Sequence, residues 1–88
     1  MLNIYYVRRT TTTMDYDYSD FVVIAINETV ARNTSPSPDY STGESRMVDW
    51  SDPDGSWVKS PDDLEVTLLG QALSTVKAGV ICSSFHAG

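Results

Sequence analysis

Arg8 and Arg9 sit between Tyr5-Tyr6 and a run of four threonines, Thr10 to Thr13. Guanidinium forks match phosphate oxygens in pairs, tyrosine rings stack on bases, and a threonine hydroxyl completes such contacts. Tyr5, Tyr6, Arg8, Arg9 and Thr11 are therefore candidate ligand residues for a small phosphorylated molecule such as a nucleotide-like signal. In a chain of 88 residues such a pocket has little depth unless two subunits share it. The competing account is ordinary cross-strand pairing, in which one arginine meets Asp15, Asp17 or Asp20 across a hairpin and the other is solvated. Long nucleic acid is not an expected ligand, because two arginines without a further basic stripe release few counterions.

The second chemical feature is acidic. Residues 39–65 hold eight carboxylates against Arg46 and Lys59, which accounts for the whole net charge of −6. Asp49, Asp52, Asp54, Asp62, Asp63 and Glu65 form a candidate acidic face, suited to a basic protein surface and unsuited to nucleic acid. A solvated acidic loop is the alternative. The Asp49–Gly55 stretch invites comparison with a calcium loop, but the register fails. With Gly55 at the loop glycine, Trp50 falls at the first ligand position and Pro61 at the position of the bidentate acid. No metal or cofactor is expected.

His86 is the only histidine, with Cys82, Ser83 and Ser84 close by in sequence. That combination could serve nucleophilic catalysis. On a strand, however, adjacent residues point to opposite faces, and a nucleophile two positions from His86 lies beside it without being oriented by it. An enzyme is not expected. Cys82, the single cysteine, lies in an apolar run and is expected to be buried.

These residues have to be positioned by a few short elements. Leu2 to Arg9 alternates and is rich in β-formers, and Phe21 to Ile26 is apolar on both faces, as a central strand covered on each side would be. Thr10 to Asp20 reads as a polar loop or hairpin connection. Asn27 can cap a short helix beginning Glu28-Thr29-Val30, which must stop by Thr34 or Ser35. Prolines 36 and 38, with their serines, suggest a flexible Pro/Ser-rich insertion at about 34–44. Arg46 to Trp50 is a short strand or an anchoring turn.

Residues 60–79 allow two readings. Ser60-Pro61-Asp62-Asp63 is a helix start, yet Glu65 to Leu69 alternates and Gly70 would interrupt a helix, so a strand from Leu64 to Leu69 is preferred. Val80 to Phe85 forms a last strand. The expected fold is a single α+β domain over residues 1–88: a small, mainly antiparallel sheet of about four strands in ββαββ order with one short helix. Such a sheet has two edges, and pairing one of them in a homodimer would bury apolar surface that a single layer leaves exposed. The N-terminal charge order does not fit a signal peptide, and no apolar run approaches the ~20 residues of a membrane span. A soluble, cytoplasmic protein without membrane contact is expected.

The stretches YYVRRT, FVVIA, EVTLLGQA and GVICSSFHAG together resemble a group of small phage-encoded proteins of uncharacterised function. The resemblance covers both ends of the chain and leaves out the Pro/Ser-rich insertion. It implies a phage accessory protein and brings no catalytic residues with it. Combined with the acidic face, it implies a non-enzymatic binding protein in the host cell that inhibits a host protein or host-defence component bearing a basic surface. The alternatives are the ligand-sequestering Arg/Tyr pocket and a virion or assembly component.

Overall fold

The computed structural model describes residues 1–87; Gly88, the end of the GVICSSFHAG stretch, lies outside the described residues. The described residues form an α+β fold with one four-stranded antiparallel sheet and one short helix. In chain order these are β1 (Asn3–Arg9), β2 (Asp17–Ala25), α1 (Glu28–Asn33), a single 3-10 turn (Pro61–Asp63), β3 (Leu64–Gln71) and β4 (Gly79–His86). The sheet order is β3-β1-β2-β4. β1 and β2 are thus the inner strands and β3 and β4 the edges. The expected ββαββ order includes neither the 3-10 turn nor this spatial arrangement.

Register sorts the side chains. Tyr5 faces Val23 and Val7 faces Phe21 across the β1–β2 pair, and Val7 faces Val66 across β1–β3. This face buries Tyr5, Val7, Tyr18, Phe21, Val23, Ala25 and Leu64 against Ala31 of α1 and against Trp57 and Val58 from the long connection. Phe21 and Trp57 meet edge to face, with ring centroids 5.6 Å apart. Such a pair contributes about 0.5–1.5 kcal/mol beyond its buried area. The opposite face carries Ile4, Tyr6, Arg8, Asp20, Val22 and Ile24, of which only Ile24 is buried. β2 is therefore flanked on both sides but covered by a helix on one face only.

Local chemistry sets the helix. Asn27 is extended, and its Oδ1 accepts from the Val30 amide at 2.9 Å, satisfying one of the orphan donors of the first turn. Arg32 ties α1 to the 3-10 turn and the start of β3 by donating to the carbonyls of Pro61 and Leu64 at 2.9 and 2.8 Å. Ser60 caps the 3-10 turn by accepting from the Asp62 amide at 3.2 Å. Both signals in residues 60–69 are thus expressed: the cap and proline begin a helical turn, and the β-branched alternation takes over at Leu64.

Three expectations change. Residues 34–44 divide, with Thr34, Ser35, Pro36 and Ser37 buried and residues 39–44 exposed. The buried part is not solvated linker, because its polar groups find partners. Thr34 Oγ1 donates to the Val30 carbonyl at 2.7 Å, the Ser35 amide to Arg46 at 2.8 Å, and Arg46 Nε to the Ser37 carbonyl at 3.0 Å. The polar stretch 10–20 ends earlier than expected, with β2 starting at Asp17 and Tyr18 buried. Cys82 is exposed, because it lies on an edge strand and pairs with Val22, whose side chain belongs to the uncovered face. No helix among the described residues is long and apolar enough to cross a membrane.

Candidate functional site

The Arg/Tyr candidates are split by the sheet. Tyr5 and Arg9 belong to the covered face and Tyr6 and Arg8 to the other, as alternation along β1 requires. Arg8 is paired with Glu65 in a two-pronged contact, Nε to Oε1 at 3.2 Å and Nη2 to Oε2 at 3.0 Å. Beside it, the Tyr6 hydroxyl donates to Asp20 Oδ2 at 2.7 Å. That hydrogen bond, with some desolvation, raises the Tyr6 phenol above its ordinary value. Arg9 lines a shallow cleft of about 310 Å³ with Thr11, Asp17, Lys59 and Asp63. Its guanidinium is already engaged there by Asp17 at 3.3 Å, Thr11 Oγ1 at 3.0 Å and the Tyr18 carbonyl at 3.2 Å. Asp17 is thus the hairpin partner of one arginine, while the other is held by a member of the candidate acidic face. Tyr5, Tyr6, Arg8 and Arg9 are divided between the two faces of the sheet, with Thr11 beside Arg9.

The acidic residues also divide, but one subset converges. Asp49, Asp52 and Asp54 line a small cleft of about 90 Å³ together with Ser35, Arg46 and Trp57. Asp62 and Asp63 sit on the 3-10 turn, and Glu65 lies on the uncovered face with Arg8.

Two of the three acids in the cleft, and Asp39 outside it, share one local geometry. In Asp39-Tyr40-Ser41, Asp49-Trp50-Ser51 and Asp54-Gly55-Ser56, Oδ1 of the aspartate accepts both the amide and the hydroxyl of the serine two residues on. The distances are 2.9 and 2.6 Å, 3.1 and 2.6 Å, and 2.9 and 2.8 Å in turn. These are Asx turns. Hydrogen bonds to the ionised form favour it, and all three carboxyls are lowered from the ordinary value, chiefly by their own serine. Arg46 adds a contact at 3.2 Å to Oδ2 of Asp54. The Asp-x-Ser spacing was visible in the sequence, and it was the signal that the acid count alone did not use.

Trp50 fixes this segment to the helix, donating Nε1–H to Asn33 Oδ1 at 2.8 Å. A Thr34–Met47 bridge runs alongside, so the residues 46–50 act as an anchor. His86 is exposed at the end of β4. Among the described residues no group of three or more His, Cys, Asp or Glu is placed to hold a metal ion. In comparison with known proteins, the chain matches no family model, no curated protein and no solved structure.

Proposed function

We propose that this chain is a non-enzymatic, phage-encoded accessory protein that acts by binding, inhibiting a host protein or host-defence component that presents a basic surface. One observation carries this reading: Asp49, Asp52 and Asp54 share a cleft, and two of the three are held ionised and in place by Asx turns. A prearranged set of carboxylates loses little side-chain freedom on meeting a cation and speeds encounter with a basic partner more than it deepens affinity. In this reading the acids mimic phosphates. The contact surface is Asp49, Asp52 and Asp54, while Asp62 and Asp63 stay on the 3-10 turn and Glu65 serves the sheet.

The test uses asparagine, because an Asn Oδ1 still accepts from the serine and keeps the turn while the charge is removed. Tagged wild-type chain and Asp49→Asn/Asp52→Asn/Asp54→Asn chain are compared in pull-downs from host lysate at low and moderate salt. The expected result is a stoichiometric protein retained by the wild type at low salt, released at moderate salt and lost from the variant, whose melting temperature stays near that of wild type. Equal retention by both chains would refute the charge mechanism.

A further inference from the structure

β4 closes one side of the sheet, and every residue from Ile81 through His86 is exposed. The His86 carbonyl accepts from the Tyr16 amide on the β2 side. Peptide groups alternate in direction along an antiparallel strand. Cys82, Ser84 and His86 therefore spend their backbone groups on β2, and Ser83 and Phe85 direct theirs away from the sheet. Ile81 is the extra residue of a bulge between the Val22–Cys82 and Val23–Val80 pairs and is left unpaired with β2. At Val80 the amide is capped by Ser45 Oγ at 2.8 Å, so the open stretch is 81–86.

Edge strands of soluble proteins are usually blunted by lysine, proline, an inward charge or a bulge, and of these β4 carries only the bulge at Ile81, at one end of the open stretch. Residues 81–86 contain no Asp, Glu, Lys, Arg or Pro, in a chain whose net charge is −6. The opposite edge, β3, begins with Leu64 and Glu65 and so carries an acid.

We propose that the β4 edge binds a second copy of this chain, strand to strand and antiparallel, about a two-fold axis at Ser83. Two features select a second copy over a foreign peptide. Ile81 and Phe85, 56% and 46% exposed, lie two residues either side of Ser83, so the axis sets Ile81 opposite Phe85 of the partner subunit, and an isologous contact requires this kind of self-complementarity. It also pairs the outward backbone groups at 83 with each other, and those at 85 with the residue at 81 that β2 leaves unpaired. The second feature is charge: the strand is neutral, and Glu44, the acid of 39–65 that shares a cleft with Ile81, has Lys77 4.0 Å away, so two acidic copies meet here without like charges directly opposed. The product is a continuous eight-stranded sheet with β3 at both ends.

Residues directly opposed across antiparallel strands have Cα atoms about 4.5–5.5 Å apart, within the span of a disulfide. The first measurement is the mass of the wild-type chain by light scattering at roughly 100 μM, a concentration that reports weak pairing. Twice the 9.7 kDa chain mass is expected. The second is mild oxidation of Cys82→Ala/Ser83→Cys beside Cys82→Ala/Thr67→Cys, the latter on the other edge. A disulfide-linked dimer is expected from the first only. Ile81→Lys, and separately Ser83→Pro, should return the mass to that of one chain with circular dichroism unchanged. Ser83 lends no backbone donor to its own sheet, so proline there removes only the outward one. A single-chain mass for the wild type, a dimer indifferent to both substitutions, or crosslinking at position 67 and not at 83 would each overturn the proposal.

Discussion

Arg8 and Arg9 are neighbours on β1, yet the sheet gives them different environments. The Arg9 side chain is 10% exposed and its partner Asp17 15%, whereas Arg8 and Glu65 are 46% and 55% exposed. Their contact distances differ by only 0.3 Å, so distance does not separate them. What separates them is the dielectric: a pair shielded from water interacts strongly and is costly to break, while an exposed one is screened by solvent and salt. The same contrast runs through the whole sheet. The face bearing Phe21, Val23 and Val7 is closed by α1 and Trp57, and the face bearing Ile4, Tyr6 and Val22 is not. Stability should therefore be concentrated on one side of a single layer, leaving the other side and the edges free to vary.

The strongest way to break that contrast is to empty the covered face. Phe21 is 1% exposed and packs on Trp57, so Phe21→Ala should cost about 3–5 kcal/mol. For a domain this small that is a large part of its total stability. Val22→Ala, one residue along and on the other face, should cost well under half as much. Urea midpoints for the two variants measure the difference; equal losses would mean that the second face is covered after all.

Next in size is Arg9→Met, which keeps the bulk of the stem but leaves the Asp17 carboxylate mostly shielded and without its cation. The expected loss is about 1–3 kcal/mol, with little dependence on salt. Recovery of the loss in an Arg9→Met/Asp17→Asn double variant would show that the penalty comes from the orphaned charge and not from lost packing.

How much of this was legible in the sequence follows the range of the interactions involved. The Asn27 cap, the Ser60-Pro61 turn and the alternation of β1 are fixed by residues within four positions of one another, and the expected elements were found where those signals lie. The opposite placement of Arg8 and Arg9 also follows from alternation alone. Cys82 did not yield to the same reasoning. An apolar run such as Val80-Ile81-Cys82 is equally good as an inner or an edge strand, and only the order β3-β1-β2-β4 makes it an edge. The burial of Ser35, Pro36 and Ser37 was hidden for a related reason. Their partner Arg46 comes from a separate segment, and turn composition says nothing about what lies on top of a turn. In the candidate site, Asp-x-Ser spacing was local and readable, but the meeting of Asp49, Asp52 and Asp54 over Trp57 was not.

The Asx turns allow a test of the loop region against the sheet. Asp39, Asp49 and Asp54 titrate below the ordinary 3.8 in the folded chain. A carboxyl whose folded value is depressed contributes stability that is fully present above its unfolded value and is lost as pH falls through the folded one. Ser41→Ala/Ser51→Ala/Ser56→Ala should therefore lower the melting temperature at neutral pH by a few degrees and converge with wild type as the pH is taken below 3.8. A difference that persists unchanged into acid would assign the loss to the serines' own packing instead. The shift should be smaller than that of Arg9→Met, since these turns are local and exposed.

Smallest of all should be Arg8→Ala. Its two-pronged contact with Glu65 is the best-formed ion pair by geometry, and the hydrogen bond to Glu65 raises the guanidinium further above its already high value. Good geometry is offset here by solvent. Both side chains are about half exposed, and both must give up rotamer freedom to stay in register. A double-mutant cycle with Glu65→Ala, run by urea denaturation in low and in high salt, should return a coupling that is detectable only at low salt and well below that of the Arg9–Asp17 cycle. If the Arg8 coupling instead matched that of Arg9 and survived high salt, the pair would have to be shielded in solution. In this sheet the only way to shield it is for something to lie across the Ile4–Tyr6–Val22 face. The same measurement would then report that the second face has a partner of its own, distinct from one that binds along the β4 edge.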